Sequence, residues 1–206
     1  MALAPVAVDL STHLPANLPT HVGAFDILPV DPPLDALFPY GGPLRGSVVA
    51  VEGSASLMLA VAAAASTQGW WGAAVGFPAL GLAAAAEVGV DLARFVVVPT
   101  PGEQWASAAA VLLDGLGFVA VQPPRGARAT EARRLAARTR ERRAVLLVTG
   151  AWPESVDLRM RLKASEWTGI GGGYGRLTDR RITVTVSGRG AASRERQVTT
   201  WLPRAH

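Results

Sequence analysis

Ser47-Val48-Val49-Ala50-Val51-Glu52-Gly53 is apolar without alternation up to its last two residues, the pattern of a strand buried on both faces. From there to residue 148 short apolar runs take turns with longer alanine-rich segments. The pattern predicts strands over Val48–Glu52, Trp71–Val75, Phe95–Val98, Phe118–Val121 and Ala144–Val148. Between them it predicts helices over Ser56–Thr67, Pro78–Val88, Glu103–Leu113 and Thr130–Arg143, with Gly89 closing the second. A βαβαβαβαβ order makes a three-layer α/β fold around a mostly parallel central sheet.

The period changes after Gly150. Val156, Leu158, Met160 and Leu162 alternate with Asp157, Arg159, Arg161 and Lys163, giving a strand with one buried and one cationic face. Gly169 to Gly175 reads as a glycine-rich loop, and Arg181–Val186 and Arg196–Leu202 alternate again. Three strands without helices between them predict an antiparallel C-terminal extension of the sheet. Ahead of the first strand, residues 1–33 hold Pro5, Pro15, Pro19, Pro29, Pro32 and Pro33 with no sustained period, and read as a proline-rich arm. The expected organisation is that arm followed by a single core domain over 34–206.

Charge divides the chain. Residues 1–124 carry 2 basic and 9 acidic side chains and residues 125–206 carry 18 and 7, so the net charge passes from −7 to +11. Such asymmetry suits an anionic or acidic partner for the part from about residue 125. Only Lys163 of the 20 basic residues is a lysine, which is also the usage that a GC-rich genome produces. The absence of cysteine excludes disulfides, thiolate zinc sites and cysteine nucleophiles. The longest apolar run, Leu57 to Ala65, is too short for a bilayer, and the N-terminus lacks the basic start and apolar block of a secretory signal. A cytoplasmic protein without membrane contact is expected.

The first strand leads into Gly53-Ser54-Ala55-Ser56 and then an apolar helix, which is the frame of a phosphate-binding P-loop. That loop needs four residues between two glycines, then Lys, then Ser or Thr. The second glycine, the lysine and the metal-holding hydroxyl are absent, so a degenerate nucleotide loop is expected. Ser54 and Ser56 are better suited to a turn and a helix cap than to nucleophilic roles. Glu52 and Glu103 read as surface or helix-end carboxylates rather than bases. His13, His21 and His206 lie in the arm or at the last residue, which does not suit a Ser–His–Asp arrangement. No His/Asp/Glu cluster has metal spacing, and neither metal nor cofactor is expected.

Several segments resemble the RecA core in the same order. They are Leu34-Asp35-Ala36-Leu37, Gly41-Gly42-Pro43-Leu44-Arg45-Gly46 leading to Val48 through Gly53, Glu87-Val88-Gly89-Val90-Asp91 before Phe95–Val98, and Pro101-Gly102-Glu103-Gln104. Within that superfamily the chain is similar to the RecA-like accessory proteins of the bacterial mutasome, the ImuA type, in their short actinobacterial form. The resemblance implies a role in SOS mutagenesis and translesion synthesis, beside a Y-family polymerase-like adaptor (ImuB type) and, through it, an error-prone replicative-type DNA polymerase. In RecA an acid follows the second strand and an aspartate ends the Walker B strand. Here Val75-Gly76-Phe77-Pro78 and Phe118-Val119-Ala120-Val121-Gln122-Pro123 supply neither. The resemblance therefore implies a pseudo-ATPase and no enzyme.

Function is then expected on surfaces. Arg134, Arg138 and Arg142 recur every four residues along one helix face, with Arg133 beside them, and read either as an anion- or partner-binding stripe or as a solvated face balanced by Glu131 and Glu141. Arg159, Arg161 and Lys163, with Arg176 in the following glycine-rich loop, are a second candidate for DNA or partner binding. Single-stranded DNA is a possible direct ligand of this set. Trp152, Trp167 and Trp201 flank basic turns and are candidate partner contacts. A SulA-like cell-division inhibitor is a further alternative, resting on fold analogy alone.

Overall fold

The computed structural model describes residues 27–171, 174–175 and 179–202. In chain order it has β1 (Val48–Glu52), α1 (Ala55–Thr67), β2 (Gly72–Val75), α2 (Leu82–Glu87), β3 (Phe95–Val98), α3 (Trp105–Gly115), β4 (Phe118–Val121), α4 (Ala129–Arg142) and β5 (Val145–Val148). There follow β6 (Leu158–Trp167), β7 (Ile170–Gly171), β8 (Tyr174–Gly175), β9 (Arg180–Gly188) and β10 (Arg196–Trp201). Eight strands form one sheet in the order β10-β9-β6-β1-β5-β4-β2-β3, and β7 and β8 form a separate two-stranded pair.

Strands β1 to β5 pair in parallel, as the apolar runs predict. The antiparallel extension starts one strand later than expected. β6 joins β1 in parallel, and only β9 and β10 run antiparallel. Residues 149–157, which link β5 to β6, carry the chain past β1 without a helix. Asp157 at the end of that link fixes the start of β1 by accepting the Val48 N–H at 2.9 Å. The second helix is also shorter than Pro78–Val88. Gly81 takes an extended conformation as its N-cap, so α2 begins only at Leu82; glycine inside a helix costs about 1 kcal/mol, and placing it at the boundary avoids this.

The sheet separates two apolar layers. On one face β-strand side chains such as Val49, Val51 and Leu147 pack with α1, Ala85 of α2 and the segment holding Leu28, Leu34, Leu37 and Phe38. On the other, Val48, Val119 and Leu146 pack with Leu112 and Leu113 of α3 and Leu135 and Ala136 of α4. Leu28 and Val30 thus take the last part of the proline-rich stretch into the core. The second layer contains no residue of β6, β9 or β10. Their inward residues, Leu158, Met160, Ile182, Val184 and Val186, all belong to the first.

Candidate functional site

The C-terminal end of β1 is where a nucleotide would be held. The chain passes from β1 to α1 through two residues only, Gly53 and Ser54. Gly53 has φ +93°, and a Cβ there would lie 3.1 Å from the Leu162 Cβ, so the turn is both left-handed and closely packed. Ser54 is extended and caps α1, its Oγ accepting the Leu57 N–H at 3.3 Å. Ala55 and Ser56 already lie in the helix. A loop that arcs over phosphates needs its four residues between glycines, and this connection has no length for the arc.

The chain's own cations crowd this end of β1. The Arg180 guanidinium of β9 donates to Ser54 Oγ at 3.3 Å and, through Nε, to Ser165 Oγ at 2.7 Å, and lies 5.3 Å from the Trp167 ring centroid. On the neighbouring strand Arg159 and Arg161 both bond the Glu52 carboxylate, Arg161 through Nε at 2.9 Å. Partial burial raises the Glu52 pKa, but the hydrogen bonds from Arg161 and Arg159 outweigh it and hold the acid below its ordinary range. Glu52 is an ion-paired carboxylate, unlike a base poised near neutrality.

Gly76 and Gln122 directly follow β2 and β4. Their loops leave toward opposite faces, into α2 and α4, which makes this a topological switch point of the sheet. An open cavity of about 840 Å³ lies there, lined by Gly76, Gln122, Thr100, Trp105, Arg125 and Glu103 among others. Glu131 borders it too, but its carboxylate accepts the Arg128 N–H at 3.0 Å and so closes the N-terminus of α4.

The arginine stripe of α4 is partly paired from elsewhere in the fold. Arg138 and Arg142 both bond Asp114 in the last turn of α3, Arg142 at 3.1 Å, and Arg133 bonds Glu154 at 2.9 Å. Glu131 and Glu141 form no ion pair among the described residues, although the Glu141 charge also acts on Arg138. Among the described residues Arg134 and Lys163 form no ion pair, and Arg176 lies outside them. The tryptophans divide as well. Trp152 is half-buried and meets Trp105 edge-on at 6.5 Å, with its Nε1 enclosed and unpaired among the described residues. Trp167 and Trp201 are exposed, at 51% and 39%.

Asp114 gives a measurable acid signature. The Arg138 hydrogen bonds hold its carboxyl below the usual range against partial burial, with the Arg138 and Arg142 charges adding to them. A carboxyl whose folded pKa is depressed stabilises above its unfolded pKa of about 3.9 and loses that contribution as pH falls through the folded value. Asp114 remains 35% exposed, so solvent screening limits the pairs together to about 0.5–1 kcal/mol. Asp114→Asn should lower the melting temperature by a few degrees at neutral pH, and the loss should shrink as pH falls below the unfolded pKa toward the folded one, in thermal melts across that range. A loss that does not shrink as pH falls would contradict the ion-pair account.

Among the described residues no group of three or more His, Asp or Glu could hold a metal ion, and no helix is long and apolar enough to cross a membrane. Residue patterns missed Asp114, Glu154 and Arg180. Each acts on a residue 21 or more positions away, and no local spacing marks it.

Comparison with known proteins adds three findings. The family model described as the MT3502 N-terminal domain matches residues 36–154. The uncharacterized protein Rv3395c of Mycobacterium tuberculosis is 39% identical over 153 residues, which are 70% of this chain and 74% of that protein. The crystal structure of the flagellar accessory protein FlaH from Methanocaldococcus jannaschii is similar with a TM-score of 0.52, over 84% of this chain and 94% of that one. At 10% identity the last likeness shows the fold alone, which is RecA-like.

Proposed function

The chain belongs to the MT3502 N-terminal domain family, and from that premise we propose that it is a non-catalytic RecA-fold accessory protein of error-prone translesion synthesis. In this reading it acts in the cytoplasmic DNA-damage response by protein–protein contact with a Y-family polymerase-like adaptor of the ImuB type, and through that adaptor with an error-prone replicative-type polymerase. The observation that carries the non-catalytic part is the two-residue passage from β1 to α1, with Arg180 on Ser54. Lysine and Mg²⁺ normally stabilise the same transferring phosphoryl group, and here the lysine, the metal hydroxyl and the loop length are missing together. The resemblance of Leu34 through Gln104 to RecA segments, in a chain with an arginine-rich second part, supports the mutasome assignment.

Two measurements on one preparation test it. ATP with Mg²⁺ is expected to leave the melting temperature unchanged and to release no phosphate. At a hundred times its dissociation constant, a bound nucleotide would add about 2.7 kcal/mol and raise the melting temperature by roughly 5–10 °C. Such a rise, or hydrolysis, would sink the non-catalytic half. The full-length chain should also co-purify stoichiometrically with the adaptor, and failure to do so would sink the partner half.

A further inference from the structure

The three strands β6, β9 and β10 have one covered and one open face. Directly opposed residues on neighbouring strands share a face. Ile182 faces Ser165 and Thr200 and is buried in the layer with α1. Arg181 faces Glu166 and Trp201, and Thr183 faces Ala164 and Thr199, so these lie on the reverse. Helices α3 and α4 do not reach this side, since their apolar layer ends at β1. The alternation continues toward β1, where Arg161 lies opposite Thr185 and beside Glu52; Thr185 is buried there, and the face is open at longer side chains such as Arg161.

The open face has a distinct composition. Apart from Ala164 it presents no aliphatic side chain, whereas the centre of a protein–protein interface is apolar. It carries hydroxyls, with Thr183 and Thr199 in contact at 3.0 Å, and cations. Arg159 and Arg161 share the single carboxylate of Glu52, and Arg181 stands across from Glu166, leaving positive charge in excess. Among the described residues its one aromatic is Trp201, 39% exposed although Leu202 beside it is buried. The stripe on α4 is paired in a similar way, to Asp114 and Glu154 with Arg134 left over, but α4 has no aromatic residue to set beside its cations.

We propose that this helix-free face binds a single strand of nucleic acid, the Trp201 ring stacking on a base while Arg181, Arg161 and Arg159 lie along the phosphates. A flat exposed ring reads an unstacked base, which a duplex does not offer. Four residues of β9 separate the Arg181 and Arg161 levels, roughly 13 Å at strand rise, so the face extends over more than one nucleotide. The proposal is independent of the adaptor and holds or fails without it.

The test is fluorescence anisotropy of a labelled oligothymidylate titrated with the full chain at low salt. Binding is expected, weakening as salt rises. Trp201→Ala should weaken it about ten- to a hundredfold and Trp201→Phe much less. Arg181→Gln should lower the slope of log affinity against log salt by about one. Trp167→Ala, on the covered side, should leave affinity unchanged, with melting curves confirming that each variant folds. No binding by the full chain overturns the proposal, and so does unchanged affinity in Trp201→Ala. It is also overturned if Arg134→Gln weakens binding where Arg181→Gln does not, which would assign the strand to α4, or if polyglutamate displaces the probe as well as unlabelled DNA, which would make the occupant an acidic protein segment.

Discussion

Phe118→Ala should be the most damaging single truncation discussed for this fold, costing about 3–5 kcal/mol and lowering the melting temperature by roughly 6–20 °C. Phe118 is wholly buried at the start of β4, stacked on Phe95 of β3 with ring centroids 6.3 Å apart. Between those strands lies β2, whose Gly72 is opposite both residues. The Phe118 ring therefore fills the space that a side chain at position 72 would take. Removing it leaves a cavity under three strands at once, and the glycine has no atoms with which to close it. Thermal or urea unfolding of the purified variant measures the loss; a cost under about 1 kcal/mol would mean that the site collapses freely.

Gly72→Ala should do the opposite damage at the same contact. A Cβ at position 72 would meet Phe118 Cζ at 2.0 Å, with two further ring atoms within 2.5 Å. Overpacking of this kind costs about 1–3 kcal/mol, or roughly 2–12 °C. The pair makes a sharper test than either change alone. With Phe118→Ala in place the added methyl has room, so the double variant should be more stable than the sum of the single losses by about 0.5–3 kcal/mol. Strict additivity would show that the two positions do not compete for the same volume.

Sequence pattern located the parallel strands because burial on both faces leaves continuous apolar runs such as Phe118–Val121, whose boundaries agree with β4. It also placed the loop at Gly53 and the cationic strand at Arg159 and Arg161, since both are local. Pairing was not legible. Nothing near Leu158 says that β6 lies parallel to β1, because that depends on how residues 149–157 cross the sheet. The partners of the candidate surfaces were not legible for the same reason. The four-residue spacing of Arg134, Arg138 and Arg142 places them on one face of α4. Whether that face is free depended on Asp114, which reaches it only because α3 and α4 pack side by side. Trp152 and Trp201 likewise look equivalent in sequence, yet one is held against Trp105 and the other stands in solvent.

Helix α1 has hardly any solvent side. Every residue from Leu57 to Ser66 is buried, with the sheet beneath and Leu28, Leu34, Leu37 and Phe38 in the same apolar layer. The covering segment precedes β1 in the chain, whereas α1 follows it, so during synthesis the cover leaves the ribosome before the helix it must close over. Amide protons of α1 should then exchange with deuterium only when the whole domain opens, and α1 would report global unfolding while the β6–β9–β10 extension exchanges on its own, faster clock.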